Sequence, residues 1–150
     1  MKLWVLRHGE AVRYGSCPDS ERELTEHGRK EVLNSAAHLI GQPLTAIYAS
    51  PYLRAQQTAQ IVREALGFEP EIRTVEWLTP EVDPDKVTDQ LVSVSNVLLV
   101  SHNPLVGNLL SYLQHGAGYP PEKVSTAGLA ELESAELLIG SMTLNSLKHP

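Results

Sequence analysis

The sequence predicts a three-layer α/β/α sandwich on a mostly parallel mixed sheet, and three observations carry that prediction. Short apolar runs of strand character alternate with segments of helical periodicity through most of the 150 residues. Three of the runs end in polar, chemistry-bearing loops, as strands do at the carboxyl edge of an α/β sheet. The last two runs have no helical segment between them, so at least one antiparallel pairing is expected.

The first strand is read at 3–6, where Leu3-Trp4-Val5-Leu6 runs into Arg7-His8-Gly9. A helix follows over 25–40, with Thr25 as its N-cap. Ala46-Ile47-Tyr48-Ala49 lies in a strand over 45–49, followed by a helix over 51–66. Ser50 suits the cap of that helix and Pro51 its first position. Ala55, Ala59, Val62 and Leu66 then recur at steps of four, three and four, one face turned inward. A strand over 71–75 and a helix over 84–94 come next, the helix opened by Asp83 and Pro84. The strand at 97–101 ends in Ser101-His102, and Asn103-Pro104 opens a helix over 104–114 through Leu105, Leu109 and Leu113. Two late strands are expected at 127–132 and 137–144, after a Gly/Pro loop over 116–121 that is too short for a domain linker.

Composition bounds the rest. With 42% hydrophobic and 20% charged residues, the chain reads as one globular domain spanning 1–150. A net charge of −6 argues against broad attraction to nucleic acid or an anionic membrane. No apolar stretch approaches the roughly 20 residues that cross a bilayer. The first apolar run reaches Arg7 too soon for a secretory segment, and Cys17 has no partner cysteine, so a reducing cytoplasm is expected.

Arginine beside histidine at a strand end suggests a site that takes a phosphoryl group onto imidazole: guanidinium grips phosphate, and a ring nitrogen is a competent nucleophile. Each residue also has a plainer account. His8 could donate to a backbone carbonyl, Arg54 could be a solvated helix residue, and His102 could be a cap. Their recurrence at corresponding strand ends favours the shared site. Cys17 and Arg22 are one residue too close for a cysteine-phosphatase loop. The histidines at 8, 27, 38, 102, 115 and 149 show no zinc-ligand spacing, and neither a metal nor another cofactor is expected.

Arg7-His8-Gly9, Ser50-Pro51 with Arg54-Ala55 and Gln57-Thr58-Ala59, and Ser101-His102 resemble the histidine phosphatase superfamily, the phosphoglycerate mutase-like fold. Arg22-Glu23-Leu24-Thr25 with Gly28, Leu78-Thr79-Pro80, Asn103-Pro104-Leu105-Val106-Gly107 and Thr126-Ala127-Gly128 resemble its SixA-type phosphohistidine phosphatases. The resemblance runs over about residues 1–132. It implies that His8 is the nucleophile, kept neutral by neighbouring arginines, with Arg7 and Arg54 on the equatorial phosphoryl oxygens and His102 as a second donor. Arg22 would border the site and touch phosphate or the substrate protein; a salt bridge to Glu21 or Glu23 accounts for it equally well.

The leaving group separates the substrates. A phosphate monoester needs a general acid, whereas phosphohistidine releases imidazole and needs less help. Relatives that cleave monoesters carry a glutamate after the third strand; here Glu76 falls one position off and Trp77 stands in its place. Glu81 and Asp83 read as a surface charge and a helix cap. Only about twenty residues join the strands at 71–75 and 97–101, leaving no room for a lid and suiting a protein substrate. The expectation is a monomeric phosphatase that removes phosphate from histidine-phosphorylated proteins of phosphotransfer or phosphotransferase-system type, through a covalent phosphohistidine intermediate. A phosphomonoesterase acting on a small ester or on phosphoserine/threonine proteins is the alternative, and a non-catalytic phospho-binding regulator the third reading.

Overall fold

In the computed structural model, which describes residues 1–15, 17–137 and 139–150, strand β1 (Lys2–Arg7) is the spine of a six-stranded mixed sheet. β2 (Ala46–Ala49), β3 (Arg73–Thr74), β4 (Val97–Ser101), β5 (Leu129–Glu133) and β6 (Thr143–Lys148) complete it in the order β3-β2-β4-β1-β5-β6. β1, β2, β3 and β4 are parallel, whereas β5 is antiparallel to both β1 and β6. The register sets Arg7 beside Ser101 and Ala49 beside Val100, so β1, β2 and β4 finish together at one edge.

Alternation along β1 builds the three layers. Leu3 and Val5 face one core with Leu99, Leu105, Leu109 and Leu113, under α3 (Pro84–Gln90) and α4 (Leu105–His115). Trp4 and Leu6 face the other with Ile47, Val100, Ala55, Ala59 and Val62, under α1 (Glu26–Ala36) and α2 (Leu53–Leu66). Each fully buried leucine contributes about 1.5–3 kcal/mol by leaving water. The four-three-four spacing in α2 marks this packed face: Ala55, Ala59 and Val62 are fully buried, and Leu66 packs at its margin.

Several boundaries differ from the sequence reading. α2 begins at Leu53, with Tyr52 at the cap position. Ser50 instead continues the strand end, its N–H bonded to the Val100 carbonyl and its hydroxyl committed to His102. Thr25 does cap α1, accepting from the Gly28 N–H at 2.9 Å, but the α-helix ends at Ala36 and a 3-10 turn (Ala37–Leu39) finishes the segment. α3 stops at Gln90, just before Ser93 takes a left-handed φ of 69°. The strand expected at 71–75 shortens to Arg73–Thr74. The final strand forms at Thr143–Lys148 rather than 137–144, after a turn at Gly140 with φ 81°; of the expected span, Leu138 lies outside the described residues.

Two glycines let the loop after β1 lie against α1. A Cβ on Gly28 would sit 2.1 Å from the Glu10 carbonyl oxygen, and one on Gly9 would sit 2.6 Å from the Gly28 oxygen. Both obstacles are backbone, so nothing short of separating loop from helix relieves them. Gly28→Ala is therefore expected to cost about 1–3 kcal/mol, as overpacking does. Thermal melting would show this as a drop of several degrees, and an unchanged melting temperature would contradict the contact.

Candidate active site

Parallel strands ending at one edge deliver the polar groups. Arg7 closes β1, its N–H donating to Gly128 and its Nη1 to the Val124 carbonyl at 2.9 Å. The backbone of His8 continues to β4 through a bond from its N–H to the Ser101 carbonyl at 3.0 Å. Gly9 is tied to α2, donating to Thr58 Oγ1 at 3.1 Å, while that hydroxyl donates to the Arg54 carbonyl. The loop carrying the first histidine and the helix carrying the second arginine are thus held together by one threonine.

The hydrogen bonds of His8 define its chemistry. Nδ1 lies 2.7 Å from the Gly9 carbonyl oxygen, which can only accept, so Nδ1 carries the proton. Arg54 Nε donates towards Nε2 at 3.4 Å, so the lone pair sits on that nitrogen. His8 is 7% exposed, and its pKa is lowered to about 3. Burial is the largest cause; the bond to Gly9 opposes it, and Arg54, Arg7 and Arg22 depress it further. The arginines expected to keep this ring neutral thus contribute less than desolvation does.

His102 follows β4, with its ring 5.1 Å from that of His8 and edge-on to Tyr52 at 5.0 Å. Its Nε2 is 2.8 Å from Ser50 Oγ, which also accepts from the Tyr52 N–H. No other acceptor for the serine proton appears among the described residues, so Ser50 donates to Nε2 and His102 keeps its own proton on Nδ1. Burial foremost, then His8 and the arginines, lower the His102 pKa to about 2. Among the described residues three buried side-chain polar atoms lack a hydrogen-bond partner, and two of them are His102 Nδ1 and Arg7 Nε. Unpaired buried donors are costly unless a ligand completes them, and two donors in one site fit an oxyanion.

Arg54 is 3% exposed, with Nη1 on the Asp19 carbonyl at 2.6 Å and Nη2 on the Asp19 carboxylate at 3.2 Å. Asp19, in a 3-10 turn (Asp19–Glu21), also accepts from Arg22 Nε at 2.8 Å. Arg22 therefore pairs with Asp19, not with Glu21 or Glu23, because the turn brings residues three apart face to face. Its Nη1 holds the Val12 carbonyl, the exposed Tyr14 ring lies 4.0 Å from its guanidinium carbon, and its charge reaches His8. The structure thus gathers Arg7, His8, Arg54, His102 and Arg22, and adds Ser50 and Asp19, which sequence reasoning did not place here. Ser50-Pro51 has the local pattern of a helix cap, and Asp19 carries no sequence signal beyond being a loop carboxylate. Glu76 is exposed on its own 3-10 turn (Glu76–Leu78). No group of three or more His, Cys, Asp or Glu among the described residues is placed to hold a metal ion.

The two depressed imidazoles make a pH prediction. Unfolded, both titrate near 6.5; folded, they stay neutral to about 3 and about 2. Below pH 6.5 the unfolded chain binds protons that the native state refuses, so stability falls as pH drops and these groups give no slope above pH 7.5. Melting temperature should decline from pH 6.5 to 4, with both imidazoles still in the neutral form by NMR at pH 5. A midpoint near 6.5 for either ring would contradict the geometry.

A family profile described as Histidine phosphatase superfamily (branch 1) matches residues 3–79. The chain is similar to the phosphohistidine phosphatase SixA of Escherichia coli, 33% identical over 139 residues, which cover 88% of this chain and 84% of that protein. A SixA homolog of Haemophilus influenzae is 34% identical over 127 residues, covering 75% and 77%. Among solved structures, the protein histidine phosphatase SixA complexed with tungstate superposes with a TM-score of 0.87 at 32% identity, over 99% of this chain and 97% of that one. On this agreement of sequence and fold, the chain belongs to the histidine phosphatase superfamily, in its SixA-type group.

Proposed function

We propose that this chain is a protein-histidine phosphatase that takes the phosphoryl group of a histidine-phosphorylated protein onto His8 and then releases it to water. The observation that carries the reading is the state of His8: buried, neutral, its proton held on Nδ1 by Gly9 and its Nε2 lone pair beside Arg54. A protonated ring could not attack phosphorus, and an unanchored one would offer either nitrogen. Arg7 and Arg54 supply guanidinium donors for the equatorial oxygens, where charge sits throughout an in-line transfer. His102 Nδ1–H and Arg7 Nε–H are the unpaired buried donors such a group would complete. The relative solved with tungstate supports the same reading, since tungstate is a tetrahedral oxyanion like phosphate.

In the first step the His8 Nε2 lone pair forms the new N–P bond while the bond from phosphorus to the substrate nitrogen breaks, its electron pair leaving on imidazole. In the second, water attacks phospho-His8, phosphate departs, and the Nε2 lone pair is restored. Ser50 acts through His102, fixing the tautomer that presents Nδ1–H. Arg22 borders this site as a contact for the substrate protein. The chain works as a single domain and a cytoplasmic monomer on phosphotransfer or phosphotransferase-system proteins, and engages neither nucleic acid nor membrane. Among the described residues no helix is long and apolar enough to cross a bilayer.

Phosphate release from a histidine-phosphorylated phosphotransfer domain should be fast, and slower from p-nitrophenyl phosphate. His8→Ala should abolish both. Arg54→Lys should lower kcat/KM about 100-fold, the scale for losing a positioned oxyanion donor. Ser50→Ala should lower kcat about tenfold, the scale of one neutral hydrogen bond, with KM little changed, because it mis-sets a donor rather than removing a contact. Full turnover by His8→Ala, or a preference for the ester, would overturn the reading.

A further inference from the structure

The pocket for a doubly negative group has a carboxylate at its rim. Asp19 bridges Arg54 and Arg22, its side chain is 39% exposed, and one guanidinium separates it from the nucleophile. From the described residues each carboxylate oxygen accepts one hydrogen bond, Oδ1 from Arg22 and Oδ2 from Arg54, and a carboxylate oxygen has a lone-pair direction for a second. Burial works against its charge, but hydrogen bonds and charge from Arg22 and Arg54 outweigh that and hold its carboxyl below the ordinary value. It is an anion at working pH and a poor acid.

Charge balance says what such an anion is for. Arg7, Arg22 and Arg54 bear on His8, Asp19 faces the last two, and Glu31 acts on Arg7. These three cations and two anions sum to one net positive charge, and a phosphoryl dianion turns that sum into one negative. A phosphate ester leaves the excess standing. A phosphohistidine ring protonated on its distal nitrogen cancels it. The same proton makes imidazole a good leaving group: with it, the P–N bond breaks to neutral imidazole; without it, to imidazolate.

We propose that Asp19 is a specificity residue, accepting a hydrogen bond from the distal ring N–H of the substrate's phosphohistidine and so selecting P–N over P–O bonds. This rests on the phosphohistidine reading above. The proton stays on the distal nitrogen throughout; the phosphoryl group moves to His8 Nε2 and the electron pair of the broken bond stays on the departing nitrogen. Among the described residues, Arg22 on its own loop and Arg54 on α2 bond to Asp19, with His8 beyond Arg54 and Tyr14 over Arg22.

The test compares wild type, Asp19→Asn and Asp19→Glu on a phosphohistidine-bearing phosphotransfer domain and on p-nitrophenyl phosphate across pH. Asp19→Asn should lose about tenfold to a hundredfold in kcat/KM on the P–N substrate, the range for a charge-assisted hydrogen bond. The ester rate should also fall, because Asp19 pairs with Arg54, but by several-fold less, so that the ratio of P–N to P–O turnover drops. The alkaline limb of the P–N profile should move to lower pH, because the carboxylate no longer favours the protonated ring. Asp19→Glu should recover part of the loss. Equal losses on both substrates would mean that Asp19 only positions Arg54, and no loss would mean that it is a bystander; either overturns the proposal. Wild type inactive on the P–N substrate would overturn the phosphohistidine reading itself, and this proposal with it.

Discussion

The hydrogen bond between His8 Nδ1 and the Gly9 carbonyl is the constraint on which the rest of the site depends. It places the proton on one nitrogen and the lone pair on the other, and it can do so only because the ring is nearly out of water. Burial then decides the charge state more strongly than the arginines do. An exposed histidine in the same positive field would still be neutral near pH 7, but its ring would turn and its tautomer would be mixed. Desolvation and one backbone carbonyl together hold an ordinary side chain neutral, with its lone pair fixed on Nε2.

The sheet makes that bond possible. β1 and β4 are adjacent and parallel, so His8 and His102 emerge from neighbouring strands at the same height and their rings meet. β2, on the other side of β4, brings Ser50 to His102 and starts the turn that raises Arg54 on α2. The close approach of Gly9 and Gly28 lets the loop after β1 fold down onto α1. Glu31 of α1 then accepts from the Glu10 N–H and from Thr126 Oγ1, pinning that loop to the one before β5. Each contact is modest, but all converge on the same few backbone positions.

Much of this was legible in the sequence because it depends on local pattern. The α/β layering follows from alternation in Leu3-Trp4-Val5-Leu6 and from the spacing of Ala55, Ala59 and Val62, and both survive in the two cores. The clustering of Arg7, His8, Arg54 and His102 was readable because each stands at or just past the end of an apolar run. What failed depends on long-range commitments. Ser50 looked like a helix cap because its partner, His102, is 52 positions away. The final strand was placed too early because the turn at Gly140 delays the return. Asp19 was invisible because a carboxylate beside Glu21 and Glu23 reads as surface charge until the fold sets it against two arginines.

The central claim is that His8 itself carries the phosphoryl group. The most direct measurement is rapid mixing with a histidine-phosphorylated phosphotransfer domain, an alkaline quench that preserves P–N bonds, and mass spectrometry of the resulting peptides. The account requires a phosphate adduct on the peptide containing His8, assigned to that residue, appearing before free phosphate and absent from His8→Ala. Phosphate released with no adduct on His8, or an adduct on another residue that still turns over in His8→Ala, would contradict it.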